Sequence, residues 1–158
     1  MKKLTIASLA AVLGASAGVI AVESMQRPKT IKRADHTQKM TEFYRLLIEW
    51  LRLKQEGKSL AEFFVQNNYK TVAIYGMKEL GERLYDELKD SSVEVKYMID
   101  KNADTIYADV DVFEPEDALE EVDVIVVTAI HYFDEIEEAL AEKVDYPVIS
   151  LEDIIYEL

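Results

Sequence analysis

The chain has 158 residues, no cysteine and a formal net charge of −13, which gives room for one domain with extensions and too little for two domains of ordinary size. Without cysteine there is no disulfide framework, thiol nucleophile or zinc-thiolate site, and with His36 and His131 as the two histidines a histidine-rich metal site is disfavoured. The charge is split: residues 1–60 hold 11 Lys/Arg against 5 Asp/Glu, and the remaining 98 hold 7 against 26. So acidic a globular part argues against a nucleic-acid surface, whose affinity rests on Lys and Arg. The basic residues gather beside an apolar segment, where an anionic membrane surface would attract them.

Residues 4–22 carry no charge, with Lys2 and Lys3 before them and Glu23 after. Nineteen uncharged residues are near the minimum length for a membrane-spanning helix. A cleaved signal peptide is the alternative, because Ala15-Ser16-Ala17 fits the small-residue cleavage pattern. Arg27, Lys29, Lys32 and Arg33 outweigh the charge before the segment, which favours an anchor with the domain in the cytoplasm. Gly14 and Gly18 form a GxxxG face on which two helices pack closely. Residues 24–37 are polar and basic, as a juxtamembrane linker requires.

A helix is expected over Gln38–Gln55, where Met40, Phe43, Leu46, Leu47, Trp50, Leu51 and Leu53 make a wide apolar stripe. That stripe serves packing on the flank of the domain, or a homodimer interface. Gly57 supplies a stop, and Ser59-Leu-Ala-Glu62 is a capping box for a short second helix, Leu60 to about Gln66. The division expected is therefore an apolar segment (1–23), a basic linker (24–37), a helical hairpin (38–68) and an α/β domain (69–158).

From Lys70 the pattern alternates strand and helix. Strands are expected at Thr71–Tyr75, Val93–Ile99, Ala108–Phe113, Val122–Thr128 and Pro147–Ser150. Helices are expected at Lys78–Leu88, Tyr132–Ala141 and Leu151–Tyr156, with a brief helical turn at Pro115–Leu119. Such alternation implies a Rossmann-like open parallel sheet with right-handed crossovers and the order 3-2-1-4-5.

In an open parallel sheet ligands bind beyond the carboxyl ends of the strands at the switch point, and three pieces of sequence fall there. Gly76-Met77-Lys78-Glu79-Leu80-Gly81 has the outer glycines of G-x-G-x-x-G but Lys78 where the middle one belongs, so the lysine either meets a phosphate or obstructs it. Asp100 ends the second strand, where a carboxylate accepts from ribose hydroxyls, and Lys101 beside it suits a phosphate or Asp100 itself; a turn role for Asp100 stays open. Thr128-Ala-Ile-His131 borders the same place, and His131 is the weak candidate for acid–base work. Tyr85…Lys89 and Tyr97…Lys101 match a Tyr-x-x-x-Lys spacing but lie on the wrong elements for dehydrogenase chemistry, and the acidic runs 114–121 and 134–138 read as solvated faces with no metal spacing.

Residues 71–100, with Val-Ala-Ile-Tyr-Gly-Met-Lys-Glu-Leu-Gly and then Val-Lys-Tyr-Met-Ile-Asp-Lys, resemble the amino-terminal Rossmann segment of polysaccharide-type nucleotide-sugar epimerases and dehydratases. Similar segments precede sugar-phosphate transferases and sugar acyltransferases. Gly76, Glu79, Gly81 and Asp100 match that pattern, while Lys78 and Lys101 depart from it. The resemblance implies NAD(P) or a nucleotide-sugar as ligand, no metal, and a setting in surface-polysaccharide synthesis, without the second half that carries catalytic residues in those enzymes. The expectation is an accessory or sensing domain that binds a nucleotide-type molecule. The alternatives are an NAD-dependent epimerase/dehydratase-like enzyme or a subunit completed by a partner, and a scaffold with a vestigial site.

Overall fold

The computed structural model describes residues 35–158; the apolar segment 4–22, its Gly14/Gly18 face and most of the basic linker lie outside the described residues. Among the described residues no helix is long and apolar enough to cross a membrane. The chain divides between Tyr44 and Arg45, and the unit from Arg45 to Leu158 holds the sheet.

Residues 35–55 are helical (α1), so the helix takes in the last three residues expected in the linker. There follow α2 (Ala61–Gln66), β1 (Thr71–Tyr75), α3 (Glu79–Leu88), β2 (Glu94–Ile99), a 3-10 turn (Ala103–Thr105), β3 (Val112–Phe113) and β4 (Val124–Val127). A second 3-10 turn (Ile130–Tyr132), α4 (Phe133–Ala141), β5 (Val148–Ser150) and α5 (Leu151–Glu157) complete the chain. The sheet is parallel throughout in the order β3-β2-β1-β4-β5. Central β1 and β4 are apolar and β-branched because both faces are covered: Val72, Ala73, Ile74 and all of Val124–Val127 are fully buried.

The period-two alternation of a strand sends Ala73, Tyr75, Tyr97, Ile99, Ile125 and Val127 to one face, where they pack with Leu140 of α4. Val72, Ile74, Val124 and Val126 point the other way. Because β1→β2 and β4→β5 run outward in opposite directions, right-handed crossovers set α3 and α4 on opposite faces. α3 turns Leu80, Leu84 and Leu88 inward, one per turn, and all three are buried.

The third strand is shorter than expected. Only Val112–Phe113 pairs with β2, since Asp109 and Asp111 keep the edge in water. The helical turn expected at Pro115–Leu119 is a non-helical turn, closed where Asp117 accepts from Glu114 N at 2.8 Å. Distance explains this. Passing from β3 to β4 crosses three strand spacings of about 4.8 Å and returns along a strand, whereas ten helical residues rise only about 15 Å and ten extended ones reach over about 30 Å. Tyr97 Oη and Tyr146 Oη both donate to Glu120 O, at 2.6 and 2.9 Å, and pin this extended crossover to the core.

The expected apolar stripe of α1 splits in two. Leu46, Trp50 and Leu53 are buried, while Met40, Leu47 and Leu51 face solvent. The capping box before α2 is half formed: Ser59 N donates to Glu62 Oε1 at 3.1 Å, but Ser59 Oγ donates to Glu87 on α3. Glu87 fastens this region, accepting from Trp50 Nε1 (2.8 Å), Lys54 Nζ (2.8 Å), Ser59 Oγ (3.0 Å) and Leu60 N (2.7 Å). Burial pushes its carboxyl up, but the donors from Lys54, Leu60, Trp50 and Ser59 outweigh burial and hold it below the ordinary range.

Candidate functional site

The strand-to-helix join after β1 is built on two glycines with different duties. Gly76 takes φ +98°, a conformation in which L side chains are strained, and a Cβ there would stand 2.8 Å from Thr128 Oγ1. At Gly81 the backbone is ordinary, but a Cβ would lie 2.0 Å from Gly76 O. The second glycine therefore lets the first turn of α3 press against the end of β1, which brings the helix start to the carboxyl edge of the sheet.

Thr128, buried at the end of β4, closes the same turn from the other side. Its backbone N donates to Tyr75 O at 2.9 Å, and its hydroxyl donates to Gly76 O at 2.7 Å, with Tyr75 O at 3.1 Å. Asp100 is also buried, at the end of β2. Its Oδ2 accepts from Met77 N at 2.8 Å, and its Oδ1 accepts from Asn102 N at 2.9 Å and Asn102 Nδ2 at 3.2 Å. The carboxylate thus shapes both the phosphate-type turn and its own Asx turn. Asp100, rather than a free anion, holds the Met77 N–H in this structure.

Lys78 is the N-cap residue of α3 in extended conformation, exposed, with no side-chain cap hydrogen bond at that helix start. The first-turn N–H groups of Glu79, Leu80 and Gly81 precede any intrahelical acceptor and remain the donors of this end. Lys101 is exposed beside the clamp, and Glu79 is exposed on α3. His131 is half-buried in the 3-10 turn after β4, three residues beyond Thr128. The Tyr75 phenol, at the join's base, is raised by burial and then by the carboxylates of Glu116 and Asp100.

The fold thus brings Gly76, Met77, Gly81, Asp100 and Thr128 together by direct contact, and leaves Lys78 and Lys101 at the surface beside them. Beyond Met77 an open cleft of about 640 Å³ runs between α3 and the β2–β3 connection, lined among others by Arg83, Tyr85, Asp86, Ile106 and Tyr107. Burial and then the carboxylate of Asp109 raise the Tyr85 phenol. Asn102 and this cleft were not read from the sequence. The Asp-x-Asn spacing after a strand was the available signal for Asn102; the cleft has none, because it arises where the β2–β3 connection forms no α-helix.

Among the described residues no group of three or more His, Asp or Glu side chains is arranged to hold a metal ion. The arrangement at the join is one of positioning: a carboxylate on backbone N–H groups, a hydroxyl on backbone carbonyls, and an uncapped helix start. No curated protein and no solved structure matches the chain significantly. The model of the C2185-like, N-terminal family matches residues 68–149, from just before β1 into β5. That is more than half of the chain and contains every residue of the join, so the chain belongs to the C2185-like, N-terminal family.

Proposed function

We propose that this domain binds a nucleotide-type ligand (a nucleotide, nucleotide-sugar or dinucleotide such as NAD(P)) at the Gly76–Gly81 join, in an accessory or sensing role without catalysis of its own. The observation that carries the reading is the glycine-to-glycine turn that delivers the uncapped start of α3 to the carboxyl edge, beside the switch point between β1 and β4. Donors at such a helix start suit a phosphate, and Lys78 adds a cation at the cap. The resemblance of residues 71–100 to nucleotide-sugar enzymes suggests surface-polysaccharide or sugar-nucleotide metabolism as the setting. In this reading residues 4–22 tether the domain to the cytoplasmic side of the membrane.

One observation favours a second reading, a scaffold with a vestigial site: both oxygens of Asp100 are engaged by Met77 and Asn102, and the carboxylate lies against the turn a phosphate would approach. Calorimetric titration of the full chain in detergent with NAD(H), NADP(H), UDP-sugars and CoA separates the two. Saturable heat with one ligand class, changed by Lys78→Gly, supports binding at the join; no heat with any of them supports the scaffold. Turnover of a bound sugar nucleotide that His131→Ala abolishes would instead make the chain an enzyme.

A further inference from the structure

The join offers donors to a phosphate and leaves the rest of such a ligand unplaced. Beside it, the β2–β3 connection takes a 3-10 turn (Ala103–Thr105) and then irregular chain where a doubly-wound fold ordinarily carries an α-helix. The space left is the cleft of about 640 Å³ between α3 and residues 105–109. That volume lies within the range of about 300–1,000 Å³ usual for small-molecule sites. Met77 of the join is among its lining residues, and so is Asp86. Seven residues separate Glu79, where α3 starts, from Asp86, so the cleft follows the helix for about 10 Å from the join.

The groups left free in this cleft suit a flat ring with N–H donors on its edge. Arg83 is held by Glu82 and Asp86 at 3.6 and 3.4 Å, and Asp86 also accepts from Lys89 at 2.8 Å. Asp109 on the connection makes no hydrogen bond or ion pair among the described residues and stays available as an acceptor. It faces Tyr85 on α3, whose phenol is raised by burial and then by this carboxylate. Tyr107 is fully exposed, and Met77 and Ile106 are half-buried, so the lining offers an aromatic face and apolar surface for stacking. Glu82, Asp86 and Asp109 against Arg83 make the lining net acidic, which repels a phosphate from the cleft, whereas exposed Lys78 attracts one at the join. We infer that the cleft is the subsite for the nucleoside end of the ligand, with the phosphate at the start of α3 and the base on Tyr107, donating an N–H to Asp109. This rests on the reading of the join as a phosphate site and adds where the base is held.

Calorimetric titration of the full chain in detergent with ADP, GDP, UDP and inorganic pyrophosphate tests this, because the four share a diphosphate and differ in the nucleoside. At least one nucleotide is expected to bind about tenfold or more tighter than pyrophosphate. Asp109→Ala and Tyr107→Ala, both at exposed positions that the fold does not depend on, are each expected to cut that margin by about fivefold or more. Nucleotides bound no tighter than pyrophosphate, or a margin that neither substitution reduces, overturn the inference. The join reading survives that result where Lys78→Gly still changes the affinity for pyrophosphate. No heat with pyrophosphate or with any of the nucleotides overturns the join reading and this inference with it.

Discussion

Replacing Glu87 tests how the helices ahead of the sheet are fixed to it. Its side chain is 9% exposed and accepts four hydrogen bonds, from Trp50, Lys54, Ser59 and Leu60. In Glu87→Ala, Lys54 and Ser59 can turn to water, but the indole N–H of Trp50 and the backbone N–H of Leu60 lose their acceptor in part-buried positions. A stranded donor costs about 1–3 kcal/mol, so the substitution should cost about 3 kcal/mol, a large part of a typical stability of about 5–15 kcal/mol. Glu87→Gln keeps one acceptor oxygen and should cost about 1 kcal/mol, the charge-assisted part of the bonds. Urea unfolding of parent and variants measures this: with a slope of about 2 kcal/mol/M the alanine midpoint falls by roughly 1.5 M at unchanged slope. The sign with pH follows from the lowered carboxyl. Folding holds Glu87 ionised, so its contribution is complete above the unfolded carboxylate pKa of about 4.3 and is lost as pH falls through the lower folded value. The gap between parent and Glu87→Gln should therefore close in acid. An alanine variant within about 0.5 kcal/mol of the parent at neutral pH, or a gap that does not close, refutes the reasoning.

Gly81→Ala drives a methyl to 2.0 Å from Gly76 O, backbone against backbone, and should cost about 3 kcal/mol or more by thermal or urea unfolding. Thr128→Val removes the donor to Gly76 O and should cost about 1–2 kcal/mol, with amide exchange quickened at Gly76 and Met77. Burial, then Tyr146 and Glu120, hold the Tyr97 phenol far above its ordinary pKa. Its proton stays on in the folded protein, so stability is complete below about pH 10 and declines as pH rises beyond it; absorbance of phenolate at 295 nm should show at least one tyrosine fewer until unfolding than after it, and Tyr97→Phe should reduce that deficit by one.

Much of the fold was legible because its signals are local and strong. The runs Val72–Tyr75 and Val124–Val127 are continuous and β-branched, and only a parallel sheet covered on both faces buries such strands completely. Their alternation with helices implies a doubly-wound sheet, and the order expected from it, 3-2-1-4-5, is the one observed. What was not legible depends on distances between elements. The crossover after β3 looked helical from Pro115 to Leu119, yet the span to β4 requires extended chain. The α1 stripe looked continuous, and only packing separates Trp50 from Leu51. At the join the glycines announced themselves, whereas the partners of Asp100 did not: a ribose acceptor and a clamp on Met77 have the same sequence, and the carboxylate's rotamer decides between them.

The most direct test of nucleotide-type binding at the join is calorimetric titration of the full chain with UDP-sugars and NAD(P), alongside Lys78→Gly and Gly81→Ala. The account predicts saturable one-site binding by the parent, altered affinity in Lys78→Gly, and loss in Gly81→Ala, where the helix start is pushed off the strand. No heat with any of the ligands, or binding that neither substitution changes, would contradict it.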